Sequence, residues 1–212
     1  MRIFQMLSTI AYGDAVSNDT FAMEKIIKGM GYGTRIYAES IVAPLDKKNA
    51  LNVDELKDVH KDDIIIFHMS TGSRLNFDVA KYDCRKIVVY HNITPPEYFA
   101  KNDSRFTKVC EYGLEGARYL ADKVDYCLAV SDFNKQDLIN MGYKCNIDIL
   151  PVIIPMSDYD KKPDKEVMKE YSDGYTNILF TGRVAPNKKH EDLIASFYYY
   201  NRLYNKKTRL FH

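Results

Sequence analysis

Short apolar runs alternate with longer stretches of helical periodicity along the whole chain. Strand-like runs fall at residues 2–10, 35–38, 63–69, 86–91, 126–130, 147–154 and 177–181. Three of their cores, Ile64-Ile65-Ile66-Phe67, Ile87-Val88-Val89-Tyr90 and Ile178-Leu179-Phe180, are continuous rather than alternating, as expected of parallel strands covered by helices on both faces. Helical patterns occupy 18–29, 103–124, 131–141 and 188–204. The longest places Phe106, Val109, Cys110, Gly113, Leu114, Ala117, Leu120, Ala121 and Val124 on one stripe. Ser131 precedes the third as a cap, and Gly142 follows it. Such alternation predicts an α/β fold, a Rossmann-like doubly wound parallel sheet with ligands at the carboxyl ends of its strands.

The pattern breaks once. Residues 156–175 are polar, charged and nearly free of aliphatic side chains. We therefore expect a first domain over 1–155, a linker over 156–174 with one short helix, and the opening strand, loop and helix of a second α/β domain over 175–212. Thr208-Arg209-Leu210-Phe211-His212 reads as the start of another strand. So short a second piece cannot close its own core, so the second domain is expected to be truncated or to pack on something else.

Composition narrows the class only modestly. Apolar residues at 46% and charged residues at 28% exclude a disordered or collagen-like chain. Thirty basic side chains against 29 acidic ones leave no broad positive field, so no nucleic-acid partner is expected. The N-terminal stretch lacks a signal-peptide pattern, and no apolar window of membrane-spanning length occurs, which points to a cytoplasmic protein. Cys84, Cys110, Cys127 and Cys145 contain no closely spaced pair and read as reduced, mostly buried thiols. Lys101, Arg105, Lys108, Arg118 and Lys123 are interleaved with Glu111 and Glu115, so at most weak peripheral contact with anionic lipid, at the inner face of the membrane, is expected.

Chemistry concentrates at residues 178–197. An apolar strand runs into Gly182 and Arg183, then a loop with Pro186, then Lys188 at a helix start. Gly182 permits close backbone approach, and two cations beside free helix N–H groups favour a phosphate or diphosphate. The plain alternative is a solvated loop whose cations pair with Glu191 and Asp192. After the first strand, Gly13 and Asp14 form a loop before a helix for which Asn18 or Asp19 is the candidate cap. His91 follows the strand 87–90, and His68 ends the strand 64–67, which puts both at a cleft edge. The alternative for His91 is a structural ring before Pro95 and Pro96.

Gly182-Arg183-Val184-Ala185-Pro186-Asn187-Lys188-Lys189-His190-Glu191-Asp192-Leu193-Ile194, after its apolar strand, resembles the opening of the donor-binding domain in family 4 (group 1) glycosyltransferases. The segment 121–138, with Ala129-Val130-Ser131 before a helix, is similar to the close of the N-terminal domain in that family, and 86–99, ending His91-Asn92-Ile93-Thr94-Pro95-Pro96-Glu97-Tyr98-Phe99, is a third match. The resemblance implies a two-domain GT-B enzyme, a hexosyltransferase moving a sugar from a nucleotide-sugar donor to a glycan or lipid-linked acceptor with retention of configuration. It implies that Gly13, Gly182, Arg183 and Lys188 bind the donor phosphates and that His91, Arg183 and Lys188 are catalytic. Asp14, His68 and His91 are the candidates for sugar or acceptor contact.

Two cations suffice for the leaving diphosphate, and Asp122 and Asp125 form no convincing metal motif, so neither metal nor other cofactor is expected. The chain departs from the family in its single Gly13 followed by an acid, in Leu150-Pro151-Val152-Ile153-Ile154-Pro155 where an Asn-Gly turn is usual, and in lacking the downstream paired glutamates of the donor pocket. As a fragment of this kind it is expected to be inactive alone. A non-catalytic subunit or split half that docks a separate donor domain is the second reading. The absence of a G-x-G-x-x-G run after the first strand argues against a dinucleotide cofactor.

Overall fold

A computed structural model describes residues 1–212, the side chain of Asp158 excepted. The chain divides into two compact units, Met1–Pro155 and Met156–His212. In the first, seven strands pair in parallel: β1 (Arg2–Ile10), β2 (Gly33–Ile41), β3 (Leu51–Asn52), β4 (Ile64–Met69), β5 (Arg85–Tyr90), β6 (Tyr126–Ala129) and β7 (Asn146–Ile149). Their order across the sheet is β3-β2-β1-β4-β5-β6-β7. The chain moves outward from β1 to β3, then returns to lay β4 on the other side of β1. This is the doubly wound α/β architecture the sequence predicts, and its topological switch point lies between β1 and β4.

Alternation along the strands explains the continuous apolar runs. Phe4, Met6, Ile65, Phe67, Met69, Val88 and Tyr90 pack with Cys110, Ala117 and Leu120, in and just after α3 (Ser104–Tyr119). Ile3, Ile66 and Val89 point to the opposite face and pack with Met23 and Ile27 of α1 (Ala15–Gly29). Both faces are covered, so both parities of each strand must be apolar.

The α3 face comes close to the loop after β4. A Cβ on Gly113 would stand 2.7 Å from the Gly72 backbone nitrogen, and one on Gly72 would stand 2.0 Å from the Val109 carbonyl oxygen. Beyond that loop lies α2 (Leu75–Asp78), whose Asn76 side chain donates to the Gly113 carbonyl at 3.3 Å. The fourth helix of this unit, α4 (Asp132–Asn140), is capped by Ser131, which accepts from the Asn134 N–H.

Several boundaries differ from expectation. Helix α1 begins at Ala15 rather than 18, because Asp14, and neither Asn18 nor Asp19, is its cap. Strand β7 ends at Ile149 rather than 154, since Pro151 has no N–H for the ladder. Leu150 and Ile153 turn instead onto the α1 face. Helix α3 stops at Tyr119, and Phe106 at its start is half exposed, resting against Phe99. Strand β3 and helix α2, of two and four residues, are too short for any periodicity to announce them.

The second unit contains α5 (Lys165–Glu170) and a strand–helix–strand unit, β8 (Thr176–Leu179), α6 (His190–Leu203) and β9 (Thr208–Phe211), with β8 and β9 paired in parallel. Helix α6 starts two residues later than the pattern suggests, and Lys188 lies in the short turn Pro186–Lys188 before it. The four cysteines are free thiols; Cys84, Cys110 and Cys127 are buried, Cys145 half-buried. Among the described residues no helix is long and apolar enough to cross a membrane.

Candidate functional site

The α1-facing side of the sheet changes character along its length. Near the amino ends it is apolar, with Ile3 on β1, Ile66 on β4 and Val89 on β5. Two residues further along each strand, the same parity brings Gln5, His68 and His91. Helix α1 changes in step: its inward residues are Met23 and Ile27 in the later turns and Ser17, Asp19 and Thr20 in the first two. A polar row is thus built across the switch point, beneath the start of α1 and at the carboxyl ends of the strands.

These groups bond to one another in sequence. Gln5 Nε2 donates to the Thr20 carbonyl at 3.2 Å, and Gln5 Oε1 lies 3.0 Å from His68 Nε2. His68 Nδ1 lies 3.0 Å from His91 Nε2. Asp19 Oδ2 is 3.7 Å from the same His91 nitrogen, while Asp19 Oδ1 accepts from the Ile153 N–H at 2.7 Å. His91 is held from the other side by its backbone N–H, which donates to the Met69 carbonyl at 2.9 Å. Gln5, Asp19 and His68 are at most 2% exposed, and the His91 side chain is 4% exposed.

Burial sets the charges. Desolvation pushes His68 well below the ordinary imidazole value, and the neighbouring His91 adds to that. Desolvation likewise brings His91 down to about 4, against an opposing pull from Asp14. Both rings are therefore neutral at pH 7. Asp19 is displaced upward by its own burial, partly countered by the Ile153 N–H.

Asp19, His68 and His91 are also the one group of potential metal ligands among the described residues, with ligand atoms within 4.8 Å of one another. Their geometry fits a hydrogen-bonded row better. A 3.0 Å N···N distance between two rings is a hydrogen-bond length with one proton between them. That proton occupies the side of His91 Nε2 that a metal would need as a lone pair.

Gly13 and Asp14 flank the row, in the loop from β1 to α1. Gly13 has φ +75°, the left-handed conformation that the turn into the helix requires. Asp14 Oδ2 accepts from the Ser17 N–H and hydroxyl, both at 2.9 Å, and Ser17 Oγ accepts from the Ala11 N–H at 3.0 Å. Asp14 therefore holds the loop as a cap, and its carboxylate sits where a phosphate on the α1 N-terminus would need those same donors.

In the second unit, Gly182, Arg183 and Lys188 lie in and around the β8–α6 loop. The Lys188 stem folds toward Gly182, with Cδ 3.9 Å from where a Cβ would stand there. The loop is tied internally by His190 Nε2, which donates to the Arg183 carbonyl at 3.0 Å. Arg183 and Lys188 are exposed, and among the described residues neither enters an ion pair. The expected alternative, pairing with Glu191 and Asp192, does not occur. Helix α6 has no side-chain cap, Lys189 at its head being left-handed at φ 54°.

Of the sequence candidates, the structure brings His68 and His91 together and places Gly13 and Asp14 on the adjoining loop. His68 is fully enclosed and meets its neighbours, not solvent. Gln5, Asp19 and the Thr20 carbonyl escape the sequence reading. The signal was present: Gln5 is the polar residue inside the run Ile3-Phe4-Gln5-Met6-Leu7, and a polar group in a strand buried on both faces must have a partner. A surface depression of about 450 Å³ lined by Tyr126, Lys135, Ile139 and Tyr143 touches none of these residues.

No protein-family model matches the chain, and no curated protein matches it in sequence. Solved structures do match in fold. WaaG, a glycosyltransferase involved in lipopolysaccharide biosynthesis, superposes with a TM-score of 0.62 at 11% identity, over 98% of this chain and 62% of that one. Sucrose-phosphate synthase from Thermosynechococcus elongatus gives 0.65 at 10% identity, over 99% and 61%. An α-glucosyltransferase solved with UDP and a 13-mer DNA gives 0.52 at 14%, over 99% and 55%. The chain spans about three-fifths of the length of the first two, and over that span it has the α/β, Rossmann-like fold of GT-B glycosyltransferases.

Proposed function

We propose that the chain comprises the acceptor-side domain, over 1–155, and the opening of the donor-side domain, after a linker, of a retaining hexosyltransferase of the family 4 type. The donor is a nucleotide sugar and the acceptor a glycan or lipid-linked glycan. The observation that carries this reading is the buried His68–His91 pair, set at the carboxyl ends of β4 and β5 beside the switch point, in a fold shared with glycosyltransferases. WaaG, acting in lipopolysaccharide biosynthesis, lends support to a lipid-linked acceptor.

The chemistry follows from the residue types. As the glycosidic bond to the nucleotide breaks, the departing diphosphate gains negative charge. Arg183 and Lys188, exposed cations free of ion pairs among the described residues, neutralise it, with the Gly182 backbone allowing close approach. These two cations take the part a metal ion would otherwise play, and transfer is metal-independent. His91, in the first unit, contacts a hydroxyl of the transferred sugar. Asp14, engaged as the α1 cap, orders the loop beside it.

Titration of UDP against the chain by calorimetry tests the phosphate contact. Arg183→Ala and Lys188→Ala are each expected to weaken binding by about tenfold or more, the usual loss for a charge-assisted hydrogen bond, with circular dichroism unchanged. Equal affinity in all three proteins removes both cations from the mechanism.

A further inference from the structure

His91 has one ring nitrogen left for a ligand. Its Nε2 faces His68 and Asp19, while its Nδ1 makes no hydrogen bond among the described residues. Nor is Nδ1 sealed off without a partner, a state found among the described residues for Thr34 Oγ1 and Asn134 Nδ2. What Nδ1 offers depends on where the ring's single proton sits, and that is decided two residues away.

The Thr20 carbonyl can only accept. The Gln5 atom that faces it at 3.2 Å must therefore be the amide nitrogen; the flipped amide would set two oxygens against each other. Gln5 Oε1 is then the atom 3.0 Å from His68 Nε2. An amide oxygen also only accepts, so His68 Nε2 carries the hydrogen. A neutral imidazole has one N–H, which leaves His68 Nδ1 as a bare lone pair. At 3.0 Å from it, His91 Nε2 must donate. The Asp19 carboxylate, 3.7 Å from the same nitrogen, favours a hydrogen there as well. Each link thus has one consistent direction, from His91 through His68 and Gln5 to the backbone of α1.

We propose that Gln5 and His68 are positioning residues that fix His91 as its Nε2–H tautomer, so that the site presents a bare imidazole nitrogen and takes a hydrogen-bond donor, such as a sugar hydroxyl, rather than an anion or a carbonyl. The identity of the ligand rests on the glycosyltransferase reading; the tautomer does not. The row also gives these residues a reason to be polar in an apolar sheet face: a Leu at position 5 or 68 would pack, but would leave His91 free to carry its proton on either nitrogen.

Nitrogen-15 long-range correlation spectra of histidine-labelled protein at neutral pH read the tautomer directly, with His68→Gln and His91→Gln variants assigning the rings. The expected result is a neutral Nε2–H pattern for both rings in the unaltered chain. In Gln5→Leu the preference is expected to relax, His91 losing its pure Nε2–H pattern. An Nδ1–H or charged His91 in the unaltered chain overturns the proposal, and needs no variant to fold. So does a folded Gln5→Leu protein in which His91 is unchanged. Zinc chloride added to the unaltered chain is expected to leave both patterns in place; loss of both on stoichiometric zinc shows paired lone pairs and overturns it too. None of these readouts depends on UDP binding, so a failed UDP titration with an intact tautomer pattern counts against the glycosyltransferase reading alone.

Discussion

The two places where this chain gathers polar chemistry are built in opposite ways. In the first unit, Gln5, His68, His91 and Asp19 are enclosed and bonded to one another and to backbone, with both imidazoles neutral. In the second, Arg183 and Lys188 are exposed and free of ion pairs among the described residues, on a loop tied by His190 and by short backbone turns. The difference follows the chemistry each is assigned. A group that must offer one particular lone pair to a hydroxyl needs its proton fixed before the ligand arrives, and only burial with directional partners fixes it. A group that neutralises a diphosphate needs a charge, which an Arg or Lys carries without help. The first site is costly to disturb and the second cheap, and that asymmetry can be measured.

The largest expected effect is steric. Gly113 lies inside α3, where replacing Gly by Ala ordinarily gains about 1 kcal/mol in helix propensity. Here the new Cβ would meet the Gly72 backbone at 2.7 Å, and backbone cannot step aside as a side-chain tip can. Gly113→Ala is therefore expected to reverse the sign, losing about 2–3 kcal/mol in urea unfolding. It should also loosen the loop after β4 that follows His68. The matching change in the second unit, Gly182→Ala, meets the Phe180 ring at 3.5 Å and the Lys188 side chain at 3.9 Å, ordinary contacts, and is expected to alter stability by less than about 0.5 kcal/mol. Equal losses at the two positions would erase the contrast.

Acid brings a loss of similar size. His91 has a folded value of about 4 against 6.5 for a free imidazole, so the unfolded chain takes up the proton first as pH falls. The stability this represents is fully present above pH ~6.5 and is lost progressively towards pH ~4, in total about 3 kcal/mol. His68, lowered by its own burial, adds to the loss. Asp19 works the other way. Its raised value makes the folded state bind a proton more readily, which offsets part of the loss at the acid end. Urea midpoints followed by circular dichroism from pH ~7 to ~4.5 should fall steadily, and less steeply in His91→Gln. A flat profile would mean that the row is already solvated or charged.

A smaller step concerns the loop that frames His91. Removing the Asp14 cap by Asp14→Ala is expected to cost about 1 kcal/mol, the usual worth of an N-cap. This residue shows how far the sequence could be read. The strand–helix alternation, the switch point and the places of His68 and His91 at strand ends were legible because apolar periodicity records which face is buried. The role of Asp14 was not, since Asp14, Asn18 and Asp19 are all good caps, and only the turn at Gly13 decides among them. Gln5 and Asp19 were missed for a related reason. A single polar residue in an apolar run states that a partner exists but not which one, and their partners, His68 and the Ile153 N–H, lie 63 and 134 positions away. Pairings at that separation are made by the sheet order, which no local pattern encodes.

The smallest expected change in stability is at Arg183 and Lys188. Neither side chain enters an ion pair among the described residues, so truncating either removes little that holds the fold together. Arg183→Ala, Lys188→Ala and the double variant are each expected to unfold within about 0.5 kcal/mol of the unaltered chain. The same double variant is expected to lose UDP binding more severely than either single change. Its residual affinity should also depend less on salt, because two charges no longer face the diphosphate. This dissociation, a large effect on an anion and almost none on folding, is what separates a binding loop from a structural one. A loss of stability matching the loss of affinity would move the two cations into the scaffold and leave the row around His91 as the site's one built feature.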